Sequence, residues 1–274
     1  KTWDDNSNQD GLRPEKVELK LYRKVGTGDE ELVQGVKATW TNTNSDTWNY
    51  SFENLPEYEN QQKITYRVEE TPVKDYETSY DTTNKNNITN THKPGTVKIS
   101  GTKTWDDNSN QDGLRPEKVE LKLYRTVGNG KEEPVEKEAT WTNTASDIWS
   151  YSFGNLPEYE NQQKITYRVA ETPVKDYETS YDASNKNNIT NTHKPGTVDI
   201  EGTKTWNDNG NADIRPETIT INLYANGKLV ASKTVSKADD WKWKFADQPK
   251  YEKGKEIEYT ITEDKVDGYI TTKG

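Results

Sequence analysis

The segment KTWDDNSNQDGLRPEKVELKLYR at Lys1 returns almost unchanged at Lys103 and in a diverged form at Lys204. Trp3, Trp105 and Trp206 set the period, 102 residues and then 101. Solenoid units repeat every 20 to 50 residues or so. A copy of twice that length buries a core of its own, so each repeat is a whole domain and the chain is a string of three. The boundaries fall at 1–94, 95–195 and 196–274, with the first strand of repeat one truncated and the last strand of repeat three missing. The chain stops five residues beyond Tyr269, whereas Asn191 lies fourteen beyond the matching Tyr177.

Within a repeat, apolar and polar residues alternate over runs of four to eight, with turn clusters between them and no sustained helical period. Each domain is therefore predicted to be all-β. Val17, Leu19 and Leu21 share one strand face; Trp48, Tyr50 and Phe52 share another before the Leu55-Pro56 stop, and Trp241, Trp243 and Phe245 take that role in repeat three. Asn226-Gly227 signals a two-residue hairpin. Strands so short and evenly spaced fit an antiparallel sandwich.

Composition sharpens the problem that such domains must solve. Hydrophobic residues make up only 28% of the chain against 31% charged, although nine Trp and sixteen Tyr supply large buried surfaces. A domain of roughly 100 residues so poor in aliphatics needs a further constraint, and with no Cys it is not a disulfide or a thiolate metal site. The net charge of -10, with both signs interspersed, provides no basic groove for nucleic acid. The chain lacks Met, a signal peptide and an apolar run of spanning length, so it reads as an interior piece of a longer polypeptide with no membrane insertion in this segment. The joints, His92-Lys93-Pro94-Gly95 and His193-Lys194-Pro195-Gly196, are short and contain Pro, which predicts a semi-rigid array.

Side chains two apart on a strand share a face. Val97, Ile99, Gly101, Lys103 and Trp105 have one parity, so a regular strand points the Lys103 amine into the apolar layer. Lys204 repeats this before Trp206, and Lys1 before Trp3. The same count turns Glu70 inward with Tyr66 and Val68, Glu171 with Tyr167 and Val169, and Glu263 with Tyr259 and Ile261; Asn90 shares the face of Ile88, and Asn191 that of Ile189. Isolated buried charges cost several kcal/mol, so these groups should meet. Two outcomes stay open. One is a buried Lys–Glu ion pair with Asn as a further partner, or frayed strand ends whose polar tips reach water. The other is chemical: a desolvated, neutral lysine attacks the asparagine carboxamide while a protonated glutamate polarises it and relays protons, leaving an amide between first and last strand.

KTWDDN, LRPE, the WxYxFxNLPxY run, YRVEE (YRVAE in the second repeat) and ITNTH occur in this order through the first two repeats, and the third follows as far as Glu263. In these motifs the chain resembles the Cna B-type domains, the collagen-adhesin B-region repeats of Gram-positive surface proteins. The resemblance implies a transthyretin-like or inverse immunoglobulin-like β-sandwich carrying a spontaneous Lys–Asn isopeptide bond assisted by an acidic residue. Carried over position by position, the bonds are Lys1–Asn90 and Lys103–Asn191 with Glu70 and Glu171 as proton relays, while Lys204 and Glu263 are equivalents without an asparagine. The function implied is a stalk that projects a ligand-binding region from the cell wall, extracellular, monomeric, within a wall-anchored parent that binds host matrix; no cofactor and no catalytic turnover are expected. The alternative is a repeat that itself binds a host protein or glycan, and a polymerising pilin backbone is a third class for which no sorting motif stands out.

Asp4, Asn6, Asn8 and Asp10 alternate oxygen ligands in the manner of a calcium loop, but Gln9 stands where that loop needs Gly and Pro14 disrupts its flank, so a turn held by its own Asx hydrogen bonds is expected. Trp40 and Trp141, flanked by Thr, are candidate platforms for a glycan or protein, with rim packing the plainer expectation. His92 and His193 read as surface residues that form no triad or metal cluster.

Overall fold

A computed structural model of the chain describes residues 1–272. Among these residues every regular element is a strand apart from two 3-10 turns, Ala212–Ile214 and Lys237–Asp239. The chain separates into two compact units: Lys1–Ser100 with Lys122–Thr140 and Ser152–Ala170 form the first, and Gly101–Leu121, Trp141–Tyr151 and the described chain from Glu171 onward form the second.

In the first unit, repeat one builds two sheets. One has the order Thr2–Asp4, Ile88–Thr91, Glu77–Tyr80, and the other Glu30–Leu32, Leu19–Val25, Gln62–Glu70, Tyr58–Glu59. The first and last strands of the repeat pair in parallel, with Trp3 opposite Asn90. A hairpin of Thr39–Thr41 with Asn49–Ser51 flanks them. Trp3, Val17, Leu19, Leu21, Trp48, Val68 and Ile88 meet in one buried cluster drawn from both sheets, a sandwich core. The period-two pattern explains it: Leu19 and Leu21 are buried while Lys20 and Tyr22, which alternate with them, are not. Aromatic edges supply what aliphatics do not, with Trp3 meeting Trp48 at 5.3 Å and Tyr76 at 5.0 Å between centroids, both edge to face.

In the second unit Lys103–Asp106, the end of the strand Thr96–Asp106, pair in parallel with Ile189–Thr192, with Trp105 opposite Asn191. Repeat three pairs Lys228–Ser236, Thr218–Ala225 and Tyr259–Glu263 in one sheet and Thr197–Thr203 with Lys242–Pro249 in another. Ile219, Ile221, Leu223, Val235, Trp243, Phe245 and Val266 form its core. The expected hairpin at Asn226-Gly227 is present, both residues having positive φ (47° and 79°) as a type I′ turn requires. Trp241 departs from the strand parity expected of it. It precedes its strand at φ 60°, yet its ring still reaches Trp206 at 5.2 Å, so a left-handed turn replaces the strand residue as the carrier of that contact.

Candidate functional site

The parallel pairing of first and last strands fixes the site. Because Asn191 lies opposite Trp105, it shares a face with Trp105 and with Lys103 two residues earlier. Lys103 and Asn191 are both 0% exposed. Glu171, the final residue of strand Gln163–Glu171, brings its Oε2 to 3.0 Å from Lys103 Nζ. That separation is an ion-pair distance, but its angles are not those of a hydrogen bond, so the amine is not committed as a donor. Glu171 is held in place from two sides: Thr179 Oγ1 donates to its Oε1 at 3.2 Å, and its N–H donates to the Tyr181 hydroxyl at 3.0 Å. Burial lowers the Lys103 pKa to about 8, against a partial restoring pull from Glu171. Neither polar atom of the Asn191 carboxamide has a hydrogen-bond partner. Leaving a buried amide unpaired costs about 1 to 3 kcal/mol per group, which calls for a reason beyond packing.

Repeat one brings the equivalent three groups into direct contact. Lys1 Nζ lies 2.8 Å from Glu70 Oε2, and Asn90 Nδ2 donates to Glu70 Oε1 at 2.6 Å. One carboxylate thus touches both the amine and the carboxamide nitrogen, while Asn90 Oδ1 has no partner. Burial lowers the Lys1 side-chain pKa as well. In repeat three Lys204 Nζ donates to Glu263 Oε2 at 2.8 Å and Thr271 Oγ1 donates to the same oxygen at 2.7 Å. No asparagine joins them among the described residues, and the lysine side chain is 15% exposed rather than sealed. In repeats one and two the structure therefore assembles an amine biased toward its neutral form, a carboxylate beside it and a carboxamide with a free carbonyl oxygen. These are the parts of an acyl transfer from asparagine to lysine.

The profile of the family described as "Cna protein B-type domain" matches residues 1–91, 99–192 and 200–273. The chain belongs to the Cna B-type domain family. It is 41% identical over 277 residues to a collagen adhesin of Staphylococcus aureus, a match that takes in 99% of this chain and 22% of that relative, so the chain spans about a fifth of the curated protein it resembles. Among solved structures, the crystal structure of two B repeat units (B1B2) of the collagen-binding protein of the same organism aligns with a TM-score of 0.54 at 38% identity, covering 97% of this chain and 67% of that one.

Each of the first two Cna B-type repeats also contains a further buried carboxylate, Asp5 and Asp107. Lys1, Trp3 and Asp5 have one parity, and Asp5 is 1% exposed. Its oxygens accept from Arg13 Nε at 3.1 Å, the Tyr76 hydroxyl at 2.7 Å and the Asn8 N–H at 2.9 Å. Arg13 in turn lies over the Trp3 ring at 5.5 Å and reaches Asp46. Burial opposes the charge on Asp5, yet Arg13, the Asn8 amide and Tyr76 outweigh it and hold the carboxyl below its ordinary range. Asp107, Arg115 and Tyr177 repeat the brace, and in the third Cna B-type repeat Arg215 takes Asp208 down to about 2.

The four calcium-loop candidates do not converge. Asp4 is exposed, Asn6 binds Gln9 within the loop, Asn8 Oδ1 accepts the Arg13 N–H at 3.0 Å, and Asp10 accepts the Gly95 N–H at 2.8 Å. Asn6, Ser7 and Asn8 all adopt left-handed backbone, which turns their side chains along the loop. Among the described residues no three acidic or histidine side chains gather as metal ligands. Trp40 is packed against Trp48 at 5.8 Å and Tyr50 at 5.3 Å, and Trp141 repeats both contacts. The histidines are not plain surface residues: His92 is partly buried and bonded through both ring nitrogens. Among the described residues no helix is long and apolar enough to cross a membrane.

Proposed function

We propose that this chain is a self-crosslinked stalk segment of a bacterial surface adhesin, standing between the cell wall and a ligand-binding region. The observation that carries the reading is the sealed Lys103–Glu171–Asn191 set, because an unpaired carboxamide beside a depressed lysine has no advantage over an apolar core unless the two react. The neutral Lys103 Nζ adds to Cγ of Asn191, the C–N bond to the carboxamide nitrogen breaks, and that nitrogen leaves as ammonia. Glu171 accepts a proton from the attacking amine and delivers it to the departing nitrogen, so the carboxyl group returns to its starting state. The product is a secondary amide between the first and last strands. Nothing turns over, so the chemistry is a maturation step and not an enzymatic activity. The Lys1, Glu70 and Asn90 set performs the same reaction. Lys204 and Glu263 form an ion pair.

The collagen-adhesin relative supports the reading of a host-matrix-binding surface protein, and the tandem repeats support the role of spacer. Intact mass spectrometry of the unfolded chain tests the chemistry. Each bond removes one ammonia, so the expected deficit is about 34 Da for two bonds and about 17 Da in an Asn191→Ala variant. A wild-type mass equal to that of the sequence refutes it. Adsorption of the chain to immobilised collagen, compared with a longer chain that includes upstream sequence, separates spacer from binder; retention by this chain alone refutes the spacer role.

A further inference from the structure

The linker between repeats one and two is pinned inside the first unit by groups that the cross-link does not use. Gly95 N–H donates to Asp10 Oδ2 at 2.8 Å, and its carbonyl accepts the Glu158 N–H at 3.0 Å. The carbonyl of Gln9, next to Asp10, accepts the Gln162 N–H at 2.9 Å. A β-carbon at Gly95 would stand 2.9 Å from Glu158 Oε2, so the backbone is held at close quarters. His92 completes the joint: Nδ1 lies 2.9 Å from the Asp75 carbonyl and Nε2 3.1 Å from Asp10 Oδ2. Both partners are acceptors, and only the imidazolium can donate from both nitrogens at once. The second unit repeats the arrangement with His193 between the Asp176 carbonyl and Asp112, Asp112 on the Gly196 N–H at 2.8 Å, the Lys250 N–H on the Gly196 carbonyl at 2.9 Å and the Gly254 N–H on the Gln111 carbonyl at 3.0 Å.

We propose that the two joints are proton-operated latches, in which protonated His92 and His193 fix Asp10 and Asp112 against the linker amides of Gly95 and Gly196, and loss of the proton loosens the repeat that follows. The groups facing His92 are Asp10, the ring of Tyr76 at 5.5 Å and, beyond Asp10, Asp5 with its partner Arg13; those facing His193 are Asp112, Tyr177 at 5.4 Å and Asp107 with Arg115. Near the linker glycines stand Glu158 in the first joint and Lys250 in the second. For His92 burial opposes the charge and Asp10 overrides it; for His193 Asp112 dominates; both pKa values are raised. A raised histidine contributes its stabilisation fully below the ordinary value of about 6.5, and that contribution is lost as pH climbs through the raised one. The latch is shut in mildly acidic surroundings and slackens toward alkaline pH.

The chain has two histidines, so each ring can be followed separately by NMR in the intact protein. Both should titrate above the ordinary histidine value. Hydrogen-exchange protection at Gly95, Gln162, Gly196 and Gly254 should fall across those midpoints. Linkage requires the fold-loss in latch closure to equal the factor by which the histidine acidity differs between latched and unlatched states. Asp10→Asn should move the His92 midpoint down and leave that of His193 in place. The double variant His92→Gln, His193→Gln should lose the pH dependence of protection. Midpoints at or below the ordinary value, or protection that is flat across the titration in the wild type, overturn the proposal. Neither result depends on whether the lysine–asparagine bonds form.

Discussion

If Lys103 and Asn191 join as proposed, Asn191→Ala removes the tie and isolates its contribution to stability. Lys103 and Asn191 stand 88 residues apart in sequence (103 to 191), and a covalent tie between them restricts the unfolded chain much as a disulfide does. Loop-closure entropy for that span is worth about 4 to 5 kcal/mol at 25 °C. For a domain of roughly 100 residues this corresponds to a loss of about 20 °C in midpoint temperature. The alanine also deletes a carboxamide, but that group has no hydrogen-bond partner, so its removal contributes little to the deficit. Lys103→Met serves as the second bond-free variant, since it removes the amine and approximately keeps its volume. Scanning calorimetry on the whole chain should show one transition moving down in both variants while the other transitions stay, with Lys103→Met, which also strands the buried Glu171 carboxylate, at least as low as Asn191→Ala. A wild-type midpoint indistinguishable from that of Asn191→Ala, with the mass deficit present in the wild type, would refute the entropic account of the bond.

Lys103 gives a pH test in the uncrosslinked background. Its pKa is about 8 when folded and 10.5 in the unfolded reference, so between these values the unfolded state holds the extra proton and stability rises with pH. Asn191→Ala should therefore gain roughly 3 kcal/mol between pH 8 and 10.5 relative to Lys103→Met, Asn191→Ala, as read by denaturant unfolding. In wild-type chain isolated unfolded before the bond has formed, the reaction on first folding should quicken with pH up to about 8, followed by the loss of ammonia in the intact mass. Arg115→Met strands the buried Asp107 carboxylate and should cost about 3 to 5 kcal/mol, with part of the loss recovered at acid pH where that carboxyl is protonated. At Gly101 a β-carbon would lie 2.0 Å from the Asn187 carbonyl oxygen and 2.8 Å from the Tyr151 hydroxyl, so Gly101→Ala should destabilise by about 1 to 3 kcal/mol in thermal melts.

The fold was legible because alternation is strict where a face is buried. Lys103 and Trp105 share a parity and are both sealed, and the same rule placed Glu171 and Asn191. Pairing partners were not legible. Nothing in the local pattern of ITNTH says that it runs parallel to its first strand, because register is set by contacts more than eighty residues away. In the loop after Trp3 the expected Asx hydrogen bonds are present, Asn8 N–H to Asp5 and Arg13 N–H to Asn8, and three consecutive left-handed residues break the alternation of oxygens, so the buried acid is Asp5. One more step of the parity count from Trp3 would have found it. His92 looked like a surface residue because its two acceptors come from segments 17 and 82 residues away.

The parallel pairing of the terminal strands decides what the proposed bond would do under load. Tension enters a repeat through its first strand and leaves through its last, and in repeat two these lie side by side with Trp105 opposite Asn191. Without a covalent link the two strands shear and the intervening chain pays out, exposing the core. With Lys103 joined to Asn191 the load crosses one amide, and the 87 residues between them (104 to 190) carry no force. Single-molecule stretching should therefore show no unfolding step for the wild-type second repeat. Asn191→Ala should release about 300 Å of contour length at roughly 3.4 Å per residue. A wild-type chain that yields the full step while its mass shows the ammonia deficit would mean that the bond lies off the load path, and the role of the repeat as a tether would fail with it.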